Sequence, residues 1–409
     1  MVLKFLSSRK AFFACVLFLV LGVVSAYAAS SVLPADSLPD QWEVAITKDG
    51  FHHVYLLYSQ KEPQCMGCAL KPRLQLAIGN DEDGTWQTPR ELTPPSFDQV
   101  NPAIVVDSSD QRTVYAAWVE RTRKDVLLAK SSDFGHSWSL IVVARADGMA
   151  NKPVLTARGQ NVQIAFSRDH EMWAASSRDG GITFYVQNVK PPTSALDVLA
   201  SGATITPNGD AFVAWESYTQ DANSLKPQVN LYISKSSEQG KTWTTTLMDV
   251  SSVAECQASE CEWGYLGAQI TLASDAGGML YALWNADLSS KPDTERIYFA
   301  SSTTAGETWS QKSDVSNAPQ GTKHVLPAIM AGTAGEIRIA WMDARNSPRW
   351  SAYERSSTNG GATWSDEELL STYVPSSGYI PQDNFDPLFS PSPEDARKSG
   401  DALLNAGGM

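Results

Sequence analysis

The sequence lacks any run of basic residues. Its 409 residues contain 32 Lys and Arg against 45 Asp and Glu, which gives a formal net charge of −13. A protein that binds nucleic acid needs a basic patch to neutralise the phosphates. We therefore predict that the protein has no nucleic-acid partner.

Long apolar runs are missing after the first 28 residues, and those residues resemble a secretion signal. A basic start precedes the apolar run Ala11–Val24, and Ala26-Tyr27-Ala28 has the small-x-small pattern of a cleavage site. Fourteen apolar residues are fewer than the ~20 that a spanning helix needs, which favours cleavage over an uncleaved anchor. We predict a secreted or otherwise extracytoplasmic protein that is held at a membrane only if this leader is retained.

Cysteine is scarce. Of five cysteines one lies in the leader, which leaves Cys65, Cys68, Cys256 and Cys261. An even number in an oxidising compartment predicts two disulfides, and the local pairs 65–68 and 256–261 are one of three possible connectivities. A four-cysteine zinc site is the alternative.

Histidine is scarce as well, and no metal site or cofactor is predicted from it. His52, His53, His136 and His324 show no spacing typical of metal ligands. We expect these four side chains at the surface or in turns.

What the sequence does contain is an eight-residue repeat. Ser131–Trp138 reads Ser-x-Asp-x-Gly-x-Ser-Trp, related copies begin at Ser177, Ser236, Ser302 and Ser357, and Asp83–Trp86 is a shortened copy. The glycine permits a positive φ in a tight turn, and the residue at the third position can accept hydrogen bonds from turn N–H groups. A structural role is therefore predicted for the third-position residues Asp133, Asp179, Glu238 and Asn359.

Short runs of β-branched and aromatic residues precede each copy and read as strands. They are Val54–Tyr58, Val114–Trp118, Val162–Phe166, Ala211–Trp215, Leu280–Trp284 and Ile337–Trp341. Each unit then has four antiparallel strands, called A to D here. Strand A precedes the run, the run itself is strand B, strand C leads into the motif and strand D follows it.

Six units of about 55 residues have the size of propeller blades. The predicted fold is all-β, a six-bladed β-propeller of four-stranded antiparallel blades over residues 40–372. Sandwich domains would need seven or more strands each, and nothing groups the repeats in that way. The proline-rich tail, residues 373–409, is predicted to be partly disordered.

Connectivity separates two faces of this propeller. The A–B and C–D turns share one face, which includes the motif, and the B–C loops and D-to-A connections share the other, called the B–C face below. The strand-B aromatic and the motif aromatic are 18 to 28 residues apart, so the insertions fall in the B–C loops. Variable insertions are typical of a binding face, and both cysteine pairs lie there too. We expect the ligand at the channel mouth on this face.

The repeat is the Asp box, and its spacing resembles that of the sialidase superfamily over nearly the whole mature chain. Sialidases grip a substrate carboxylate with three arginines and use a Tyr nucleophile paired with a Glu, with an Asp as acid/base. Charged residues that follow strand B are the candidates for these roles on the B–C face. We predict substrate-binding roles for Arg121, Arg168, Arg345, Asp343 and Glu120. Glu216 and Tyr218 are two residues apart and point the same way on an extended chain, and we predict catalytic roles for them and for Asp169.

One motif of that superfamily is missing. The first sialidase arginine lies in an Arg-Ile-Pro motif, and residues 40–46 contain none. We therefore predict an extracytoplasmic propeller that recognises a glycan or protein ligand through its B–C face without standard sialidase catalysis. An exo-sialidase or related glycoside hydrolase with a divergent site is the alternative. The simpler interpretation of the candidate charged residues is that they are solvated loop residues with local ion pairs.

Overall fold

The computed structural model describes residues 41–60, 72–93, 98–145, 148, 150–189, 195, 197–220, 227–252, 268–288, 291–346 and 349–373. The leader, the four mature cysteines and the tail beyond residue 373 lie outside this part of the chain, so the predictions made for them stay predictions. Within the described ranges, no helix is long and apolar enough to cross a membrane.

Blades 1 to 3 are four-stranded antiparallel sheets with their strands in chain order. Their strands are Gln41–Lys48 (β1), His53–Gln60 (β2), Arg73–Asn80 (β3), Arg90–Glu91 (β4), Gln99–Val106 (β5), Val114–Glu120 (β6), Asp125–Ser131 (β7), Ser139–Arg145 (β8), Ala150–Arg158 (β9), Asn161–Arg168 (β10), Glu171–Ser177 (β11) and Tyr185–Asn188 (β12).

Blades 4 to 6 repeat this arrangement. Their strands are Asp197–Ile205 (β13), Ala211–Gln220 (β14), Pro227–Ser236 (β15), Thr244–Ser252 (β16), Ile270–Ser274 (β17), Leu280–Leu288 (β18), Lys291–Ser302 (β19), Ser313–Asp314 (β20), His324–Ala331 (β21), Ile337–Asn346 (β22), Arg349–Ser357 (β23) and Glu368–Tyr373 (β24). The predicted six-bladed β-propeller is confirmed.

The aromatic residue in each strand B explains why the blades pack. Trp118, Trp215, Trp284 and Trp341 are at most 1% exposed, and each packs into a cluster that joins its own blade to the one before. Burial of one such side chain stabilises the fold by roughly 2–3 kcal/mol. The apolar core therefore lies between the blades.

One detail of the sequence interpretation is wrong. The B–C loops were expected to begin directly after the strand-B aromatic, which would place Glu120, Arg168, Glu216, Tyr218, Asp343 and Arg345 in loops. All six lie within strands β6, β10, β14 and β22, because pairing with strand C continues past the aromatic residue.

The Asp-box residues perform the predicted turn role. In blade 3, Thr183 donates its backbone N–H to Asp179 Oδ1 over 2.9 Å and its hydroxyl to Oδ2 over 2.5 Å. Hydrogen bonds, first that from the Thr183 hydroxyl, hold the pKa of Asp179 well below its usual range. Asn359 accepts the equivalent N–H bond from Thr363 over 2.9 Å, so an amide oxygen serves as well as a carboxylate.

Each Asp-box turn also docks on the blade before it. Gly180 O accepts hydrogen bonds from Tyr115 and Lys130 of blade 2, and Glu238 O accepts one from Arg178 of blade 3 over 2.9 Å. A Cβ on Gly361 would lie 2.3 Å from Phe299 Cε1 of blade 5. The motif therefore fastens successive blades on the face opposite the predicted ligand site.

Candidate functional site

The first strands of neighbouring blades contact one another, β5 with β9, β9 with β13 and β13 with β17. These A strands are therefore the innermost strands and line the axis of the propeller. Their starts, together with the ends of the B strands, form the inner part of the B–C face.

Glu216 is one of the deeply buried acids of this region. It lies in strand β14 and is 1% exposed, and the Ser201 hydroxyl donates a hydrogen bond to its Oε2. Burial raises the pKa of Glu216 to about 8, although the Ser201 hydrogen bond and the positive charge of Lys152 act in the opposite direction. At neutral pH the carboxyl therefore carries its proton.

Tyr218 and Asp197 are adjacent to Glu216. Tyr218 is the register partner of Asp197 across strands β13 and β14, and its buried hydroxyl has no hydrogen-bond partner. Burial, followed by the negative charges of Glu216 and Asp197, raises the pKa of Tyr218 well above its ordinary value. Glu216 therefore interacts electrostatically with Tyr218, two residues further along strand β14, and the phenol is held protonated.

Asp197 connects this pair to blade 3. Burial raises the pKa of its carboxyl, while His170, at 3.6 Å, and Lys152 lower it. Lys152 thus lies within electrostatic range of both Asp197 and Glu216. The resulting cluster, called the blade 3–4 cluster below, consists of Lys152, Asp197, Ser201, Glu216 and Tyr218.

Two of the three candidate arginines hold acids of their own blade. Arg121 donates to Asp98 Oδ1 over 2.9 Å. Arg345 donates to both oxygens of Asp343 and to both oxygens of Glu367 over 2.6–3.1 Å. Burial alone would lower the pKa of Arg345, but its bonds to Glu367 and Asp343 raise it above its usual value. Asp343 is likewise engaged, because it is fully buried and also accepts the Trp341 indole N–H.

Arg168 and Asp169 lie at the β10–β11 turn of blade 3. The Arg168 guanidinium stacks on the Trp173 ring at 3.5 Å, a cation–π contact. Asp169 and His170 are the two residues between the strands, with φ of 50° and 63°, as a two-residue type I′ turn requires. Asp169 is exposed, in contrast to the buried acid Glu216.

Glu120 occupies a separate buried position between blades 1 and 2. It is 1% exposed, its Oε1 accepts the Thr122 N–H over 3.0 Å, and its Oε2 has no hydrogen-bond partner. Burial raises the pKa of its carboxyl. The nearby indole N–H of Trp118 is also buried without a partner.

The prediction that His324 is a surface or turn residue is wrong. Its side chain is fully buried at the start of strand β21, where Nε2 lies 2.8 Å from Ser316 Oγ and Nδ1 lies 3.0 Å from Thr322 O. Two polar neighbours satisfy the ring in the interior, which allows its burial.

Three residues of the blade 3–4 cluster were missed from the sequence: Lys152, Asp197 and Ser201. All three come from A strands. A usable signal exists, because Asn101-Pro102, Lys152-Pro153 and Leu326-Pro327 repeat one x-Pro pattern early in three A strands. In each, the residue before proline has a positive φ, of 52°, 43° and 61°, and the A–B register shifts there, which identifies a β-bulge.

Comparison with models of protein families finds no match, and comparison with curated proteins finds no significant relative.

Solved structures match at the level of the fold. A polysaccharide lyase of family PL25, an ulvan lyase, matches with a TM-score of 0.51 and 12% identity over 80% of this chain and 82% of its own. A sialidase from Streptococcus pneumoniae matches with a TM-score of 0.47 and 9% identity over 73% and 64%. An α-L-arabinofuranosidase from Fusarium graminearum matches with a TM-score of 0.45 and 11% identity over 74% and 87%. The chain is thus a six-bladed β-propeller, and the known structures that it resembles include sialidases.

Proposed function

We propose that the protein is an extracytoplasmic propeller that recognises a glycan through the blade 3–4 cluster, without sialidase-type hydrolysis. The observation that carries this proposal is the state of the residues that hydrolysis would need. A sialidase grips the substrate carboxylate with free guanidinium groups, whereas Arg121 and Arg345 hold Asp98, Asp343 and Glu367.

The state of Tyr218 supports the same conclusion. A nucleophilic phenol must lose its proton easily, and a lowered pKa or an adjacent base serves that purpose. Burial and two acids instead raise the pKa of Tyr218, and the Glu216 carboxyl keeps its own proton at neutral pH. A protonated phenol and a protonated carboxyl are hydrogen-bonding groups, which suits them to binding hydroxyls.

The fold supports a glycan as the ligand, because a solved structure that resembles the chain is a polysaccharide lyase. The leader at residues 1–28 supports an extracytoplasmic location.

The test measures binding and turnover with the same preparation of the full chain. We expect glycan-array binding that Tyr218→Phe weakens severalfold, and no release of 4-methylumbelliferone from its sialoside. Tyr185→Phe is the matched control, because Tyr185 is 55% exposed on the outer strand of blade 3. Sialoside turnover that disappears in Glu216→Gln would show an exo-sialidase instead, and an array without any bound glycan would contradict glycan recognition.

A further inference from the structure

Two of the three arginines on the B–C face that were candidates for gripping an acidic ligand already hold acids of the protein, and the third, Arg168, stacks on Trp173. Arg121 is paired with Asp98, and Arg345 with Asp343 and Glu367. An arginine whose donors are filled by carboxylates has little to gain from a ligand carboxylate, since the bidentate geometry is used. These arginines therefore do not make the face attractive to acidic sugars.

Lys152 enters the site through strained backbone. Its φ is 43°, it directly precedes Pro153, and the strand register jumps from Val154↔Ala165 to Asn151↔Ser167 around it. Its backbone N–H lies 3.3 Å from Asn101 Oδ1 of the neighbouring A-strand bulge. A left-handed conformation is unfavourable for a non-glycine residue, and the same bulge recurs at Asn101 and Leu326. Bulges of this kind re-aim a side chain.

The charges within the blade 3–4 cluster balance. Lys152 supplies one positive charge and Asp197 one negative charge, while Glu216 is neutral because it keeps its proton at pH 7. The remaining members, Ser201 and Tyr218, are hydroxyls. The cluster therefore offers hydrogen-bonding groups without net charge.

We propose that the blade 3–4 cluster selects a neutral glycan over an acidic one, and that Lys152 is the specificity-determining residue that makes the site electroneutral. This inference rests on the proposed glycan recognition. The buried Tyr218 hydroxyl, which has no hydrogen-bond partner, provides one donor and acceptor for a sugar hydroxyl. A buried polar group without a partner is costly, so a ligand hydroxyl that satisfies it gains affinity. A ligand carboxylate would instead lie near the negative charge of Asp197. The positive charge of Lys152 is already balanced by Asp197, so it would not attract the ligand carboxylate.

Paired probes separate the two ligand classes. We would measure the full chain at pH 7 on an array in which each neutral glycan stands beside its sialylated and uronic-acid counterparts, at 20 and 300 mM NaCl. The positive pairs would then be titrated in solution. We expect the neutral member of each pair to bind more tightly, with an affinity that changes less than about twofold with salt, because screening acts on charge–charge attraction.

Asp197→Asn provides the sharper measurement. It leaves Lys152 without its balancing charge and keeps an oxygen for the Val198 N–H, which now lies 2.8 Å from Asp197 Oδ1. We expect the affinity for the acidic members to rise at least about fivefold relative to the neutral members, the size of one charge interaction at ~4 Å with the screening of bulk water. Lys152→Gln should lower the affinity for the acidic members relative to the neutral members. It tests the same charge balance if Asp197→Asn does not fold.

Glu307→Gln is the matched control, because it removes one negative charge on the opposite face, where Glu307 is 70% exposed and paired with Lys235. It should leave the ratio unchanged. Tighter binding of the acidic members by the wild-type chain, or an equal shift in the control, overturns the inference while leaving glycan recognition intact. Absence of any glycan binding overturns the proposed function itself and this inference with it.

Discussion

Replacing Glu216 by Gln should remove a large part of the pH dependence of stability. The carboxyl is 1% exposed, and its pKa is raised from 4.5 to about 8, mainly by burial. Between these pH values the unfolded chain loses the proton and the folded chain keeps it. The free energy of unfolding therefore falls as pH rises, and this contribution is fully present below pH 4.5 and lost above pH 8.

The magnitude follows from the two pKa values. The difference between 4.5 and about 8, at ~1.4 kcal/mol for each pH unit, corresponds to at most about 5 kcal/mol. Lys152 and Ser201 are included in that value, since both already act on the carboxyl in the folded state. Glutamine has nearly the same shape and cannot ionise, so Glu216→Gln should resemble the wild type at pH 5 and be more stable than it at pH 8.5.

Thermal unfolding followed by tryptophan fluorescence from pH 5 to 9 measures this difference. Glu171→Gln is the control, because Glu171 is an exposed acid on the same face and the change replaces the same carboxyl by the same amide. Infrared difference spectra provide a direct readout, since the carbonyl band of a protonated carboxylic acid at pH 6.5 should be lost in Glu216→Gln. Equal pH slopes for the wild type and Glu216→Gln would refute the assignment of the buried proton to Glu216.

Two further predictions concern stability. Gly361→Ala should destabilise the protein by about 1–3 kcal/mol more than Gly321→Ala. Both glycines have φ near +87°, but a new Cβ meets the Phe299 ring at 2.3 Å only at Gly361. Equal losses of stability in urea unfolding would contradict the docking role of the Asp-box turn. Arg345→Met should lower the free energy of unfolding by about 3–5 kcal/mol, because it leaves the fully buried Asp343 without its cation. The matched change at an exposed lysine, Lys241→Met, should be nearly neutral. An equally neutral Arg345→Met would show that Asp343 is satisfied without the arginine.

The fold could be read from the sequence because each blade carries two local signals. The strand-B aromatics and the Asp-box turns are contiguous patterns, and their regular recurrence was enough to count the blades. Strand ends were less predictable. Asp343 and Arg345 read as loop residues after Trp341, but pairing with strand β23 extends strand β22 to Asn346.

The site was only half predictable for a physical reason. Glu216 and Tyr218 are two residues apart in one strand, so their shared orientation follows from the period of a strand. Lys152 and Asp197 approach them from other strands, and that proximity depends on how the blades pack around the axis. Two partners of the arginines are also remote in the chain, because Asp98 is 23 residues from Arg121 and Glu367 is 22 residues from Arg345.

The docking of full-length Asp-box turns on the preceding blade has a consequence for synthesis. The contacts run from Gly180 back to Tyr115, from Glu238 back to Arg178 and from Gly361 back to Phe299. A chain that emerges from the ribosome with its N-terminus first makes the receiving surface before the turn that docks on it. Each interface can therefore close as soon as the next blade has been translated, and the ring can grow by one repeat at a time in the direction in which it is made.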